Sequence, residues 1–265
     1  MPDFKNKTIW ITGASSGIGE ACAYEFAKGK VNLILTALEH DGLTRVQKIC
    51  IELGAKCEIL PFDLSNIDGI EDLVNKALSC FGNIDIMYNN AGISQRSLAG
   101  DTSFSVDRKI MDINFFAPVL ISKLLLPKML ENGSGTIAVT TSISGRFGFP
   151  LRSAYCSSKH ALYGFFETLH AEYFDKNIRV VFVCPGRVQT NISFYALEQD
   201  GKQHAKLDAG QAGGVTAEHA AKKIVKAIYK RKPEVLIGGK ELLMLFIKRF
   251  FPNLSRKLVK KIKPE

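Results

Sequence analysis

The 265-residue sequence has no uninterrupted run of about 18 apolar residues, the length from which a membrane-spanning helix is inferred. We therefore expect no spanning helix. The first seven residues, MPDFKNK, lack the apolar core of a signal peptide, so we expect a cytoplasmic protein. Internal repeats and low-complexity segments are also absent, which argues against repeat architectures and disordered chains.

The cysteines are too scattered for a metal or redox site. No two of the six stand in a Cys-x-x-Cys pattern. Scattered cysteines are typical of small core residues in a reducing compartment, which agrees with a cytoplasmic location. We therefore expect no metal. The six are Cys22, Cys50, Cys57, Cys80, Cys156 and Cys184.

The net charge of +9 is unevenly distributed along the chain. The segment 240–265 holds eight basic and two acidic residues, so +6 of the total lies at this end. A basic groove across the whole protein is therefore not indicated, and no nucleic-acid-reading motif occurs. We expect no nucleic-acid partner.

Apolar residues make up 46% of the sequence, enough for the core of one large domain spanning 1–265. Predicted strands alternate with predicted helices, which predicts an α/β fold with a parallel sheet covered on both faces. The predicted strands are 7–12, 31–37, 57–61, 84–88, 136–142, 178–184 and 234–237. The main predicted helices are 43–53, 67–81, 105–130, 154–173 and 217–230.

Three glycines follow the first predicted strand, in the stretch TGASSGIG at 12–19. Glycine permits a tight turn and lets a phosphate approach the backbone, while the helix that follows offers free N–H groups and a favourable dipole. The spacing is Gly-x-x-x-Gly-x-Gly, not the Gly-x-Gly-x-x-Gly of many dinucleotide-binding folds. Two interpretations stay open at this point, a nucleotide-phosphate site and a tightly packed turn.

Polar residues follow or end the third and fourth predicted strands. Asp63 is placed either to contact an adenine ring or to cap the helix that begins at Ile67. Asn89 and Asn90 can bond backbone groups of neighbouring strands and hold the strand end in shape. Gly92 leaves room beside them.

Tyr155 and Lys159 stand four residues apart in a predicted helix, so their side chains share one helical face. A phenol has an ordinary pKa of about 10, and a fixed ammonium beside it lowers that pKa. Such a tyrosine can exchange a proton with a substrate oxygen. Taken alone, the pair also fits a partly buried aromatic residue beside a solvated lysine.

Taken in order, these motifs resemble those of the short-chain dehydrogenase/reductase family. The resemblance runs over residues 7–190, and the general topology continues to about 238. It implies a Rossmann-type fold, a doubly wound parallel sheet of about seven strands with helices on both faces. The motifs that carry it are TGxxxGIG at 12–19, Asp63, NNAG at 89–92, Asn114, Ser142, YxxxK at 155–159 and Pro185-Gly186.

The resemblance implies hydride transfer between a nicotinamide dinucleotide and a carbonyl/alcohol pair. Tyr155 would exchange the proton with the substrate oxygen, and Lys159 would lower the pKa of the tyrosine and bond the nicotinamide ribose. Ser142 would orient the substrate oxygen. Asn114, in a helix that Pro118 should disturb, would hold a water that relays protons to Lys159.

The resemblance also assigns the cofactor contacts. The glycine-rich turn would carry the pyrophosphate, and the backbone around 185–190 would fix the carboxamide. The cofactor-binding residues so implied are Gly13, Ser15, Ser16, Gly17, Ile18, Gly19, Asp63, Asn90, Ala91, Gly92, Tyr155, Lys159, Pro185, Gly186, Val188 and Thr190.

The positions that separate NAD from NADP in the family are equivocal here. NADP-dependent members often have a basic residue where Ser16 or Leu38 stands, and NAD-dependent members often have Asp where Ala37 stands. Position 37 is Ala and has no carboxylate, so nothing there repels a 2′-phosphate or bonds a free 2′-hydroxyl. We therefore favour NADP(H) over NAD(H).

The substrate is expected to be a small carbonyl or alcohol compound. Three aromatic residues near the presumed pocket (Phe147, Phe149 and Tyr195) favour an apolar one, such as a lipid, steroid-like or acyl compound. The polar stretch 190–214 is too long for an ordinary connection and predicts a substrate lid. Family members commonly pair through long helices, here near 105–130 and 152–175, so we expect a homodimer or homotetramer.

The segment 240–263 predicts a basic amphipathic region that Pro252 splits into two helices. Three interpretations stay open for it. It packs on the substrate pocket or a partner subunit, it makes peripheral contact with an anionic membrane surface, or it is a solvated end. Its apolar residues recur at spacings of three and four: Leu243, Ile247, Phe250, Leu254, Leu258 and Ile262.

The main alternative to an enzyme is a catalytically inactive dinucleotide-binding scaffold or regulator. Such a protein would keep the glycine-rich turn and lose part of the catalytic set. Here Asn114, Ser142, Tyr155 and Lys159 are all present, which argues for catalysis.

Overall fold

A computed structural model describes residues 4–262 and contains one seven-stranded sheet in which every neighbouring pair of strands is parallel. The strands are β1 (Thr8–Thr12), β2 (Asn32–Thr36), β3 (Lys56–Ile59), β4 (Ile86–Asn89), β5 (Gly135–Thr140), β6 (Ile178–Pro185) and β7 (Glu234–Ile237). Their spatial order is β3-β2-β1-β4-β5-β6-β7. The predicted doubly wound parallel sheet is confirmed.

Helices cover both faces of the sheet and enclose two large apolar cores, one on each side. Trp10 is fully buried, and its indole N–H donates to the Thr36 hydroxyl at 2.9 Å. The helices are α1 (Gly17–Ala27), α2 (His40–Glu52), α3 (Ile70–Phe81), α4 (Phe104–Met111), α5 (Ala117–Glu131), α6 (Ser153–Tyr173), α7 (Ala209–Ala212), α8 (Ala217–Tyr229), α9 (Leu243–Phe250) and α10 (Pro252–Val259).

The strand order places the functional motifs at a crevice. From β1 the chain moves outward through β2 and β3, then returns to pair β4 with the other side of β1. At such a reversal the loops after the two central strands diverge, and ligands bind at the carboxyl ends of the strands. The glycine-rich turn follows β1 and the NNAG motif follows β4, so both lie at this crevice.

The predicted disturbance near Pro118 is a π-helical turn, Asp112–Phe116, which joins α4 to α5. Proline has no backbone N–H, so the bond that residue 118 would donate to the carbonyl of Asn114 in an α-helix is missing. Asn114 lies within this turn, and its side chain bonds Ile93 and Ser158. The sequence motif and its structural irregularity therefore coincide.

The continuous segment Phe104–Glu131 needs a correction to the expectation of no membrane-spanning helix. By length and composition alone it could cross a membrane, since it has 28 residues and a window of mean hydropathy 1.5. In the fold, 44% of that window is buried, and Ile121, Leu125 and Met129 pack in the core beside the sheet. It serves here as a core helix of the domain.

The polar stretch predicted as a lid lies against the loop after β4. The Leu197 backbone bonds both Ser94 and Arg96, at 2.9 and 2.8 Å. Ala196 and Ser193 are fully buried, so the middle of the stretch is anchored rather than free in solvent. Opening of this segment stays a prediction.

The C-terminal segment forms two short helices, and Pro252 begins the second, as its position predicted. Met244 and Leu245 pack toward Ile143 and Phe147. The opposite face is exposed and apolar, with basic residues between the apolar ones. Its exposed large residues are Leu243, Phe246, Phe250, Phe251 and Leu254.

Candidate active site

The glycine-rich turn leaves no room for side chains at its bends. Gly13 has φ of 65°, and a Cβ there would lie 2.8 Å from the Ala91 Cα. A Cβ on Gly19 would collide with the Gly13 carbonyl oxygen. Ser16 stands at the N-cap of α1 but its hydroxyl caps no backbone N–H, so hydroxyl and helix terminus are both available to an anion. These features fit a dinucleotide pyrophosphate.

The two asparagines after β4 have different tasks. Asn90 donates to the carbonyls of Thr12 and Gly13, at 3.1 and 3.2 Å, and so ties the end of β4 to the glycine-rich turn, as predicted. Asn89 points to the helix layer and donates to Ser122 at 3.2 Å. The Thr12 hydroxyl also accepts from the backbone of Ala91 at 3.2 Å.

Of the two interpretations of Asp63, adenine contact and helix cap, the structure tests only the helix cap. Asp63 accepts from the backbone N–H and the hydroxyl of Ser65, at 2.9 and 2.8 Å, and forms a tight turn. The cap of the following 3₁₀ turn is Asn66, which accepts from Gly69. The helix-cap interpretation of Asp63 is therefore wrong, because Asn66 caps the 3₁₀ turn that begins at Ile67. Contact with adenine stays a prediction.

Asn114 is 1% exposed, and its side chain is fully used by the protein. Its amide oxygen accepts from the Ile93 N–H at 2.9 Å, and its amide nitrogen donates to the Ile93 carbonyl at 2.9 Å and to Ser158 at 3.1 Å. It thus fixes the backbone just after Gly92. The water relay to Lys159 stays a prediction.

Ser142, Tyr155 and Lys159 come together, although they lie on different elements. Ser142 and Tyr155 line the same cavity, and the Ser142 hydroxyl acts on the phenol in the direction that lowers its pKa. The ammonium of Lys159 lies 5.7 Å from the centre of the tyrosine ring and donates to the Thr140 carbonyl at 2.8 Å. Ser142 follows β5 instead of ending it, because β5 stops at Thr140 and a 3₁₀ turn starts.

Burial controls the ionisation of this group. It raises the pKa of Tyr155, while Ser142 and the positive charge of Arg152 act in the opposite direction. Burial also lowers the pKa of Lys159 to about 7. The lysine is therefore poised near neutral pH. That Lys159 itself lowers the pKa of Tyr155 stays a prediction.

The loop after β6 closes the other side of the site. A Cβ on Gly17 would lie 3.1 Å from the Thr190 methyl group, so this loop touches the glycine-rich turn. Together they border a cavity of about 460 Å³. The predicted residues that line it are Ile18, Ser142, Tyr155, Pro185, Gly186, Val188 and Thr190.

Of the three aromatic residues expected at the pocket, only Phe149 lines this cavity. Phe147 is 3% exposed and packs against Phe149 with ring centres 4.8 Å apart, so it supports the wall from behind. Tyr195 is 47% exposed and lies outside the lining. The aromatic argument for an apolar substrate is weaker than the sequence indicated.

Sequence reasoning missed several charged residues of the cavity wall. Arg96, Arg152 and Asp208 meet there from three separate segments. Arg96 stands four residues after the NNAG motif, and Arg152 stands three residues before Tyr155. This closeness to recognised motifs could have indicated that both arginines lie near the site. Nothing local to Asp208 indicated its partners.

The sequence pattern of the family described as short chain dehydrogenase matches residues 7–201. A Drosophila melanogaster protein, "Dehydrogenase/reductase SDR family protein 7-like", is 37% identical over 236 residues, covering 88% of this chain and 72% of the relative. The Mus musculus "Dehydrogenase/reductase SDR family member 7B" is 38% identical over 240 residues, covering 88% and 73%. The chain belongs to the short-chain dehydrogenase/reductase family.

Solved structures share the fold. A Burkholderia phymatum short chain dehydrogenase/reductase in complex with NAD superposes with TM-score 0.84 at 23% identity, over 100% of this chain and 98% of that one. An alcohol dehydrogenase from Thermococcus sibiricus, complexed with 5-hydroxy-NADP, gives TM-score 0.75 at 25% identity, over 89% and 97%.

Family membership makes this protein a relative of oxidoreductases, and structural neighbours in the family bind NAD- or NADP-type dinucleotides. The residues present fit such a group, since α1 begins directly after the turn and its N-cap Ser16 makes no side-chain cap bond, which leaves the helix N–H groups available to a phosphate. Bound there, the dinucleotide supplies the hydride chemistry of a dehydrogenase/reductase.

The pKa of Lys159 predicts a pH-dependent cost to stability in the cofactor-free protein. Its pKa falls from 10.5 to about 7 on folding, so between these pH values the unfolded chain binds a proton that the folded chain lacks. The loss of folding stability is complete below about pH 7 and vanishes as the pH approaches 10.5. We expect Lys159→Met to be more stable than the wild type at about pH 7, with the gap closing as pH rises. Urea unfolding across this range measures it.

The exposed Lys123→Met serves as the control, since its effect on unfolding free energy should not follow the same course. A gap between Lys159→Met and wild type that stays constant with pH would contradict the buried, neutralised lysine.

Proposed function

We propose that this protein transfers a hydride between a nicotinamide dinucleotide and a carbonyl/alcohol substrate, with Tyr155 as the proton donor or acceptor. One observation carries the proposal. Tyr155 and Ser142 line one cavity that also reaches the glycine-rich turn through Ile18 and Thr190, and Ser142 acts on the phenol in the direction that lowers its pKa. A substrate oxygen in that cavity can meet both hydroxyls.

The chain's own residues divide the remaining work. Ser142 orients the substrate oxygen, and Tyr155 gives it a proton in reduction or takes one in oxidation. Lys159 holds a proton or releases it near neutral pH and contacts the cofactor ribose. Asn114 fixes the backbone after Gly92, and so the shape of the floor against which the cofactor lies.

Replacing Tyr155 by Phe removes only the hydroxyl, so the fold and cofactor affinity should survive. General acid–base catalysis contributes roughly 10²- to 10⁴-fold, and we expect kcat to fall by about that factor. The measurement is turnover of a panel of ketones and alcohols with cofactor, together with cofactor binding by fluorescence.

The control is Tyr195→Phe, which removes the same hydroxyl from an exposed ring outside the cavity lining. Its turnover should match the wild type. If no compound in the panel is turned over although the cofactor binds, the scaffold alternative replaces this proposal.

We further propose a preference for NADP(H). Ala37 directly follows β2 and is 7% exposed, so it offers neither charge nor hydrogen bond to an adenosine ribose. Leu38 beside it is also uncharged. Arg45 donates to the carbonyl of Ser15 at 3.1 Å, which places a guanidinium next to the glycine-rich turn even though Glu20 pairs with it.

A carboxylate at position 37 should reverse this preference, because it repels a 2′-phosphate and bonds a free 2′-hydroxyl. We expect wild type to bind NADPH more tightly than NADH, and Ala37→Asp to bind NADH more tightly. Titration of each variant with both cofactors provides its own internal control. Tighter NADH binding by the wild type would contradict the proposal.

We also propose peripheral contact of the C-terminal helices with an anionic membrane surface. The segment formed by α9, α10 and Phe251 between them exposes five large apolar residues, among them Phe250 at 60% and Phe251 at 54%. Basic residues flank them, including Lys248, Arg249 and Arg256. Exposed apolar groups among basic ones suit the boundary of anionic headgroups and acyl chains.

The double substitution Phe250→Ser/Phe251→Ser should reduce co-sedimentation with phosphatidylserine-containing vesicles, since it removes apolar surface and keeps the charge. Phe104→Ser is the matched control, because that ring is 80% exposed but lies on α4. Equal sedimentation of all three proteins would remove this proposal.

A cytoplasmic location and a homodimer or homotetramer stay predictions. The oligomeric state is tested by measuring the mass of the protein in solution by light scattering.

A further inference from the structure

A charged cluster lies in the wall of the cavity, beside the group that carries the proposed chemistry. Arg96 comes from the loop after β4, Arg152 precedes α6, and Asp208 ends the stretch before α7. The Asp208 carboxylate accepts from Arg96 at 2.6 Å and from Arg152 at 2.9 Å. All three residues line the same cavity as Tyr155.

The two arginines differ in how completely they are bonded. Arg96 is 4% exposed in its side chain and uses all three nitrogens, on Asp208, on the Ser94 hydroxyl and on the Gln95 carbonyl. Its guanidinium is therefore a structural partner of the carboxylate. Four of its five N–H groups are thus engaged by the protein.

Arg152 uses one nitrogen of three. Its Nη2 bonds Asp208, while Nη1 makes no hydrogen bond to the described part of the chain and Nε is buried without a partner. The side chain keeps 18% exposure in the cavity wall. Buried guanidinium donors are ordinarily satisfied, and an unsatisfied one has a free-energy cost.

The charges of the cluster do not balance. Two guanidiniums face one carboxylate, which leaves one positive charge beside Tyr155. Elsewhere in the lining, the Glu241 carboxylate accepts from the backbone N–H groups of Arg187 and Gly239, at 2.8 and 3.0 Å, and is thereby held away from the cluster. Burial and the neighbouring Arg96 both lower the pKa of Arg152, so its charge is disfavoured there. One further anion would offset it.

We infer that Arg152 recognises a carboxylate on the substrate. The inference rests on the proposed function, and it narrows the substrate from any carbonyl or alcohol compound to one that also carries a carboxylate. A monoanion matches the single excess charge, and a carboxylate oxygen can accept from Nη1, which makes no hydrogen bond to the described part of the chain. Arg152 is thus a specificity-determining residue, and Arg96 with Asp208 positions it.

The test measures binding and does not depend on turnover. Octanoate, its neutral isostere octanamide, and octyl phosphate are titrated calorimetrically into protein with and without saturating cofactor. A hydrogen-bonded charge is worth roughly 10- to 100-fold in affinity, so wild type should bind octanoate about tenfold or more tightly than octanamide. Arg152→Gln should abolish this difference and leave octanamide binding unchanged.

Arg146→Gln is the matched control. Arg146 is also part-buried and ion-paired, to Glu234 at 2.8 Å, but lies outside the cavity lining. It should keep the preference for octanoate. In Arg152→Gln, Asp208 stays paired with Arg96, and the melting temperature and circular dichroism of this variant show whether it folds. Arg152→Lys keeps the positive charge and should retain part of the preference for octanoate.

Three results would overturn the inference: equal or absent binding of octanoate and octanamide by wild type, a parallel loss of both ligands in Arg152→Gln, or a preference for octyl phosphate. The proposed function fails by a different observation. A preference for octanoate without turnover of any ketone or alcohol would contradict hydride transfer and support the Arg152 site. Turnover of neutral ketones without that preference would support hydride transfer and contradict the Arg152 site.

Discussion

A chain of hydrogen bonds across the carboxyl end of the sheet connects the two halves of the site. Lys159 donates to the Thr140 carbonyl, the Thr140 hydroxyl donates to Asn90 at 3.2 Å, and Asn90 donates to the Gly13 carbonyl. Helix α6, which carries Tyr155 and Lys159, is thereby tied through the ends of β5 and β4 to the glycine-rich turn. Parallel strands make this possible, because their carboxyl ends meet at one edge of the sheet. The glycine-rich turn and the Tyr155–Lys159 pair therefore keep a defined position relative to each other.

The pKa values of Tyr155 and Lys159 depend on two opposing effects, burial and nearby charge. Burial raises the pKa of the phenol and lowers that of the lysine, so both groups favour their neutral forms when the site is dry. The arginines beside Tyr155 act in the opposite direction. A cation in the substrate wall therefore has two consequences, since it favours the phenolate and attracts an anionic group on a ligand.

Local sequence predicted much of the fold and the reactive group, and the failures have identifiable causes. Periodicity placed the strands, and Pro118 indicated the helix irregularity that the π turn shows. The helix-cap interpretation of Asp63 failed because its carboxylate accepts from Ser65 in a tight turn, and Asn66 caps the turn that begins at Ile67. Tyr195 failed as a pocket residue because direction in a long loop depends on what anchors it.

The sequence by itself determined the parallel sheet, the glycine-rich turn and the pairing of Tyr155 with Lys159, because each depends on spacing within one segment or on regular alternation. Only the tertiary structure decided that Arg96 and Asp208, 112 residues apart, share a buried ion pair, and that Arg152 joins it with donors to spare. Contacts between distant loops depend on how both are packed against the sheet. No local pattern records them, and so the charge of the substrate wall emerges only in the folded chain.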